Sequence, residues 1–246
     1  MTPMNTKLIA NLKAMFTYNS SRVHLQNFLL EAAQTLGADD LVMDAGSGEG
    51  YYKPLFKNTN YYSTDFVQVE KQYGEVNFVG KLENIPVKQG TFDAVLLTQV
   101  LEHIPNPSLV LDEIYRVLKP EGKVWLSAPL FFPEHEVPYD YYRYTQYGLR
   151  YIVEMVGFEV IDLHPLEGYG ATFSYQLKYA IKHLPINPKE YGSGIIGFII
   201  SVLRVLLTPL FLILSKLLDY SDQKSKITKN GMCKNYCIVA KKPKKS

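Results

Sequence analysis

Cysteine is nearly absent from this chain: Cys233 and Cys237 are the two among 246 residues. They stand four apart, so on a strand they share a face, where two such side chains rarely bridge. A disulfide-stapled scaffold is excluded, and a reduced, buried pair in a cytosolic protein is expected. An excess of one charge is lacking too. Twenty-six lysines and arginines face 24 acids, a net +2, which gives no reason to expect a nucleic-acid partner. The balance breaks only locally: from Lys216 onward nine lysines stand against Asp219 and Asp222. Such an end is either a solvated tail or, beside an apolar segment, a surface for anionic lipid. The opening MTPMNTKLIANLKAMF has no apolar stretch between its charges, so no secretory signal is expected. Internal repeats and low-complexity linkers are missing as well. What remains is 47% hydrophobic and 13% aromatic, enough for one sizeable core.

Apolar periodicity orders the chain. Residues 7–36 read as helical, with Leu25, Phe28, Leu29, Ala32, Ala33 and Leu36 on the repeat and Gly37 as the stop. Leu41–Ala45 is a short apolar run ending in glycines, which suits a buried parallel strand. Strand-like runs follow at Asn60–Thr64, Val76–Val79, Phe92–Leu97, Lys123–Ala128, Phe158–Leu163 and Asn235–Lys241. Helices are expected at Pro107–Leu118, ended by Lys119-Pro-Glu-Gly122, and at Thr145–Val156, closed by Gly157. Strand and helix alternating at this spacing predict an open, mostly parallel α/β sheet.

In such sheets ligands bind beyond the carboxyl ends of the strands. There the chain places Asp44-Ala-Gly-Ser-Gly-Glu-Gly50. Gly46, Gly48 and Gly50 permit a tight turn and a close ligand approach. Their spacing is GxGxG, not the dinucleotide GxGxxG, which disfavours an NAD-linked oxidoreductase, and no phosphate-loop lysine follows. Asp44 before the first glycine repels a pyrophosphate and suits a ligand with a cationic group. Asp65, after the second strand, sits where a carboxylate accepts from two ribose hydroxyls. Its alternative is a helix N-cap.

On these residues the chain resembles the class I S-adenosylmethionine-dependent methyltransferases, in the small-molecule branch that includes ubiquinone and menaquinone biosynthesis enzymes. The matching stretches are 41-LVMDAGSGEG-50, 61-YYSTDF-66, 80-GKLENIPVKQGTFDAVLLTQVLEHIPNP-107, 111-LDEIYRVLKPEGKVWLSAP-129 and 142-YRYTQYGLRYIVEMVGFEV-160. The resemblance implies a doubly wound, Rossmann-like seven-stranded sheet with an antiparallel last strand. It implies S-adenosyl-L-methionine held by Asp44, Gly46, Ser47, Gly48 and Gly50, with Asp65 on the ribose and Thr98 and Gln99 at the end of the fourth strand. One departure stands out. Where the family often has an aspartate for the adenine amino group, Gly80 is followed by Lys81, which cannot accept that bond. Adenine is then left to the Leu82 backbone, the Glu83 carboxylate or stacking.

Methyl transfer needs alignment and, for an oxygen acceptor, loss of a proton. His103, in the family's Glu-His pair, either packs under the cofactor or acts as base. His135, between Glu134 and Glu136, is the other candidate base, with the alternative of an exposed loop histidine. Tyr139, Tyr141, Tyr142, Tyr144 and Tyr147 with Phe131 and Phe132 either line an aromatic acceptor pocket or anchor the loop. Arg143 pairs with Asp140 or with an anionic substrate. Glu134, His135 and Glu136 are adjacent and cannot readily converge on one ion, so no metal is expected.

The run 194-GIIGFIISVLRVLLTPLFLILSKLLD-219 lies outside the family's minimal fold. It is long enough to span a bilayer, with Arg204 and Pro209 inside it. A single crossing is topologically awkward, because the last strand must return to the sheet. Three placements follow: in the interface with Arg204 snorkelling, as a hairpin bent near Pro209, or as a buried helix pair. The domain reading is an N-terminal helical segment 1–36, a methyltransferase domain 37–170 plus 232–243, and an apolar helical insertion 171–231. Together these point to a cytoplasmic enzyme, peripheral or monotopic on the inner face of a membrane that it meets through 194–219. Its acceptor is a small or lipid-linked molecule, methylated at oxygen. The alternative is a non-catalytic cofactor-binding module that docks through the apolar helices.

Overall fold

The computed structural model describes residues 19–66, 69–70, 72–192, 194–229 and 231–244. Of the helix expected over 7–36, residues 7–18 lie outside this description. The described part is α1 (Ser20–Gln34), which buries Leu25, Phe28, Leu29 and Ala32.

Seven strands form one sheet: β1 (Leu41–Ala45), β2 (Asn60–Asp65), β3 (Phe78–Val79), β4 (Phe92–Thr98), β5 (Leu118–Pro129), β6 (Glu159–Pro165) and β7 (Asn235–Lys241). Their order is β3-β2-β1-β4-β5-β7-β6. Strands β1 to β5 pair in parallel, whereas β7 is antiparallel to both β5 and β6. The apolar run Val42, Met43 and Ala45 is fully buried, as a central strand covered on both faces requires. The crossovers α2 (Pro107–Val117) and α3 (Gln146–Met155) each bury one apolar stripe, Val110, Leu111, Ile114 and Val117 on α2 and Leu149 and Val153 on α3. The Thr145 hydroxyl caps α3 by accepting the Gly148 N–H at 3.1 Å. Phe28, Phe56, Leu96 and Trp125 pack in one core cluster with α1.

Strands β2, β4 and β6 end one or two residues from their expected bounds, and β3 and β5 differ for identifiable reasons. The strand expected from Val76 is shorter: at Asn77 the backbone N–H still donates to the Ser63 carbonyl at 2.9 Å, but the return bond from the Ser63 N–H goes to the Asn77 side chain at 2.8 Å. Lys119–Gly122 does not lie outside β5 but bulges within it: Phe92 pairs with Leu118 and Ala94 with Lys123. Glu121 adopts φ 68° there, and a Cβ on Gly122 would stand 2.8 Å from the Lys119 carbonyl.

The chain divides into two units, Ser21–Leu166 with Lys234–Ser246, which carries the sheet, and a helical one containing Glu167–Cys233. The helical unit pairs α4 (Tyr169–His183) with α5 (Ile195–Lys224). Of the three placements, the hairpin bent near Pro209 is not formed: α5 runs unbroken through Pro209 as a 30-residue helix. Its polar side chains instead terminate α4. Asp222 accepts the Gly168 N–H at 3.0 Å at the start of α4. At its other end the Arg204 guanidinium donates to the carbonyls of Ile181 and Leu184. Lys178 and Asp219 pair at 2.5 Å between them. Arg204 therefore does not reach outward as the snorkelling placement expects; it satisfies the orphan carbonyls of a helix end. The apolar remainder of α5, including Ile195, Phe198, Leu206, Leu210 and Ile213, is exposed.

Candidate functional site

A cavity of about 400 Å³ opens at the carboxyl ends of β1, β2 and β4. Its floor is the turn after β1. Gly46, Gly48 and Gly50 take φ of 81°, 53° and 70°, the left-handed region that a side chain resists. At Gly46 a Cβ would also stand 2.5 Å from a methyl of Val100. The turn is tied to β2: Gly46 and Ser47 donate to the Thr64 carbonyl, and the Gly48 N–H donates to Asp65 Oδ2 at 2.8 Å. Asp65 is thus held at the cavity wall by the glycine turn itself.

Of the residues singled out from the sequence, Gly46, Asp65, Leu82, Glu83, Gln99 and His103 line this cavity. Ser47, Gly48, Gly50 and Thr98 support it from behind, Thr98 as the last rung of β4 opposite Ser127. Gln99 takes φ 56° and donates its side-chain amide to the Ser127 hydroxyl at 3.0 Å. Asp44 does not reach the cavity. It is buried and accepts the Tyr61 hydroxyl at 2.5 Å. Burial lifts its pKa from 3.8 to about 6, the Tyr61 hydrogen bond lowers it in part, and Asp65 adds to the rise. Lys81 lines the wall with its ammonium 5.2 Å from the centre of the Phe66 ring. Phe66, Val69 and Tyr73 complete that wall; Phe66 closes the stretch 61-YYSTDF-66, while no motif marks Val69 and Tyr73 in the sequence.

The opposite end is polar. The loop after β5 folds onto the turn after β4, with the Tyr141 and Tyr142 N–H groups donating to the Glu102 carbonyl. Arg143 staples the loop, donating to both Asp140 oxygens at 2.6 and 2.7 Å and to the carbonyls of Phe132 and Pro133. Its partner is therefore Asp140, whose pKa these bonds pull down to about 2. Tyr139 and Tyr141 line the cavity, while Tyr144 is buried and donates to the Leu101 carbonyl, and Tyr147 is exposed on α3. The expected aromatic set thus divides between lining and anchoring. His103 lines the cavity, and His135 stands beside it with ring centres 4.7 Å apart. Burial first, then His103, holds the His135 pKa below its ordinary value. Glu136 joins the lining, and Glu102 beneath is fully buried, its carboxyl lifted to about 8 chiefly by that burial.

Residues 43–126 match the family model described as a methyltransferase domain. The chain is 35% identical over 102 residues to a demethylmenaquinone methyltransferase of Geobacillus, covering 40% of this chain and 43% of that one. It is 33% identical over 84 residues to a ubiquinone biosynthesis O-methyltransferase of Dechloromonas aromatica, covering 34% and 32%. The chain spans about half or less of the length of the curated relatives it matches. Among solved structures, phosphoethanolamine N-methyltransferase 2 of Haemonchus contortus in complex with S-adenosyl-L-methionine superposes with a TM-score of 0.54. That match is 16% identical and covers 89% of this chain and 52% of that one, a likeness of fold.

Proposed function

We propose, from the match of residues 43–126 to a methyltransferase domain, that the protein is a class I S-adenosylmethionine-dependent methyltransferase that methylates an oxygen of a small or lipid-linked acceptor at a membrane surface. One observation carries the reading. The cavity has a glycine turn and Asp65 at one end and the His103–Glu136 end at the other, so cofactor and acceptor have separate, facing walls.

The residues fit the cofactor. A turn of three positive-φ glycines leaves backbone open to the methionine part, and Asp65, oriented by Gly48, accepts from the ribose hydroxyls. Leu82 and Phe66 supply apolar surface for adenine, and Glu83 is a carboxylate acceptor for its amino group, which Lys81 cannot be. S-adenosylmethionine supplies a methyl group on a sulfonium, an electrophile that needs only an aligned nucleophile. The protein's part is alignment, exclusion of water and removal of the acceptor's proton. Tyr139 and Tyr141 position the acceptor, and the His103–His135 group, the latter the base expected from the sequence, takes part in the proton's removal.

Helix α5 supports the membrane part. Among the described residues it is the one helix long and apolar enough to cross a bilayer. The chain returns from it into β7, which lies between β5 and β6. One full crossing would separate β7 from its neighbours, so α5 enters and stays on one side, the cytoplasmic one, with Lys224, Lys226 and Lys229 following it toward anionic headgroups.

Calorimetric titration with S-adenosylmethionine tests the cofactor wall. Micromolar binding by the wild type and at least about tenfold weaker binding by Asp65→Ala are expected, since a charge-assisted pair of hydrogen bonds is lost. Equal affinity in both proteins would remove Asp65 from the site, and no binding to the wild type would overturn the reading.

A further inference from the structure

The polar end of the cavity assembles donors from two separate loops. Glu102 and His103 come from the turn after β4 and His135 from the loop after β5, and one ligating atom of each lies within 4.8 Å of the others. Glu102 is fully buried, and among the described residues neither of its carboxyl oxygens has a hydrogen-bond partner. Nearest is His103 Nε2, 3.9 Å from Glu102 Oε1. A buried carboxyl group left without a partner is a costly arrangement, and a cation resolves it.

The two imidazoles are oriented to match. His103 Nδ1 lies 2.6 Å from the Tyr139 carbonyl. A carbonyl only accepts, so Nδ1 carries a hydrogen, and in the neutral ring the lone pair is on Nε2. His135 Nδ1 faces the Pro133 carbonyl at 3.2 Å and Asp140 Oδ2 at 3.3 Å, again acceptors. Its Nε2 is left with the lone pair too. Fixing Nδ1–H on a carbonyl or carboxylate is how proteins prepare histidines as ligands. Asp140 is itself held by Arg143, so this outer layer is rigid. Glu136 Oε2 stands 4.0 Å from His103 Nε2 as a further oxygen donor.

We propose that Glu102, His103 and His135 bind one divalent transition-metal ion of the zinc class, with an open position toward the cavity. Two neutral imidazoles and one carboxylate suit zinc, manganese, iron(II) or cobalt, whereas magnesium and calcium prefer all-oxygen sites. Ligand atoms around a tetrahedral ion stand about 3.4 Å apart for bonds near 2.1 Å, so the three side chains close by up to about 1.4 Å on binding. The use of the ion, though not its binding, rests on the methyl-transfer reading. With the ion bound, the two rings serve as ligands, and the ion takes over from them the removal of the acceptor's proton by lowering the pKa of a coordinated acceptor hydroxyl, whose proton leaves to water.

Tag-free protein stripped with chelator and titrated with Co2+ tests this, followed by displacement with Zn2+. We expect one equivalent bound per chain, visible absorption bands of a four- or five-coordinate ion, and their loss on adding Zn2+. His135→Gln, at a side chain one-third exposed, weakens Co2+ binding by at least about tenfold while retaining the wild-type circular dichroism spectrum. His103→Gln serves as the second variant. Absence of stoichiometric binding, or binding that both variants leave unchanged, overturns the proposal. S-adenosylmethionine titration of the same samples separates the two readings. Metal bound without cofactor affinity refutes the methyltransferase reading and keeps the ion site, and the reverse result does the opposite.

Discussion

At the scale of single residues, the glycine turn was legible because no other residue takes φ of 81°, 53° and 70° in such quick succession at low cost. Asp65 was legible from its distance along the chain. The inward turn of Asp44 was not, because it depends on Tyr61 from the neighbouring strand, and parallel pairing brings the two together only once the register is set. That pair has a pH signature. With a folded pKa near 6 against an ordinary 3.8, the folded state holds a proton that the unfolded chain releases between those values. Stability therefore falls as pH rises through that window, and the loss is complete above about pH 6. Asparagine has no charge to desolvate and still accepts from Tyr61. Asp44→Asn should gain on the wild type in urea unfolding at pH 7, with the gap shrinking toward pH 4. A gap that does not change with pH would mean that Asp44 is not the group titrating.

Elements were read well where periodicity is strong, as in α2 and α3, and poorly where the ladder is irregular, as at Asn77, whose side chain takes one of the bonds, and at the Lys119–Gly122 bulge. The apolar helix shows the other limit. Proline and arginine inside it suggested a bend and an outward-reaching charge. In the fold, Arg204 instead closes the carboxyl end of α4, a role that only the antiparallel pairing of α4 with α5 creates. Arg204→Gln should expose those carbonyls and destabilise the helical unit by about 1–3 kcal/mol. Hydrogen exchange should then quicken in α4 near Ile181. Unchanged exchange there would show that the guanidinium is not the cap. The metal-type cluster was illegible for a related reason: sequence offers Glu134, His135 and Glu136 as neighbours, but the fold selects His135 and joins it to Glu102 and His103.

For the whole molecule, the alternation of strands and helices carried the sheet, and the apolar run marked a segment foreign to it. What the exposed face of this segment meets is not written in a run of leucines and isoleucines. Three exposed positions on α5, Ile199, Leu206 and Ile213, allow a direct test. Replacing all three with glutamate should cut co-sedimentation with anionic liposomes at least about tenfold, since each charge is strongly disfavoured in lipid. Affinity for S-adenosylmethionine should stay as it was. Wild-type protein that ignores liposomes and needs no detergent would sink the membrane reading.

The position of β7 also sets an order of events during synthesis. Strand β6 reaches the sheet only through β7, and β7 follows α5 in the chain. The whole apolar helix is therefore synthesised before β7, while β6 has no neighbour in the sheet. Until β7 is in place, the most apolar part of the chain has been made and the sheet is unfinished. Any surface that captures α5 in that interval would receive it before β7 has closed the sheet, so that engagement of the apolar helix precedes completion of the fold.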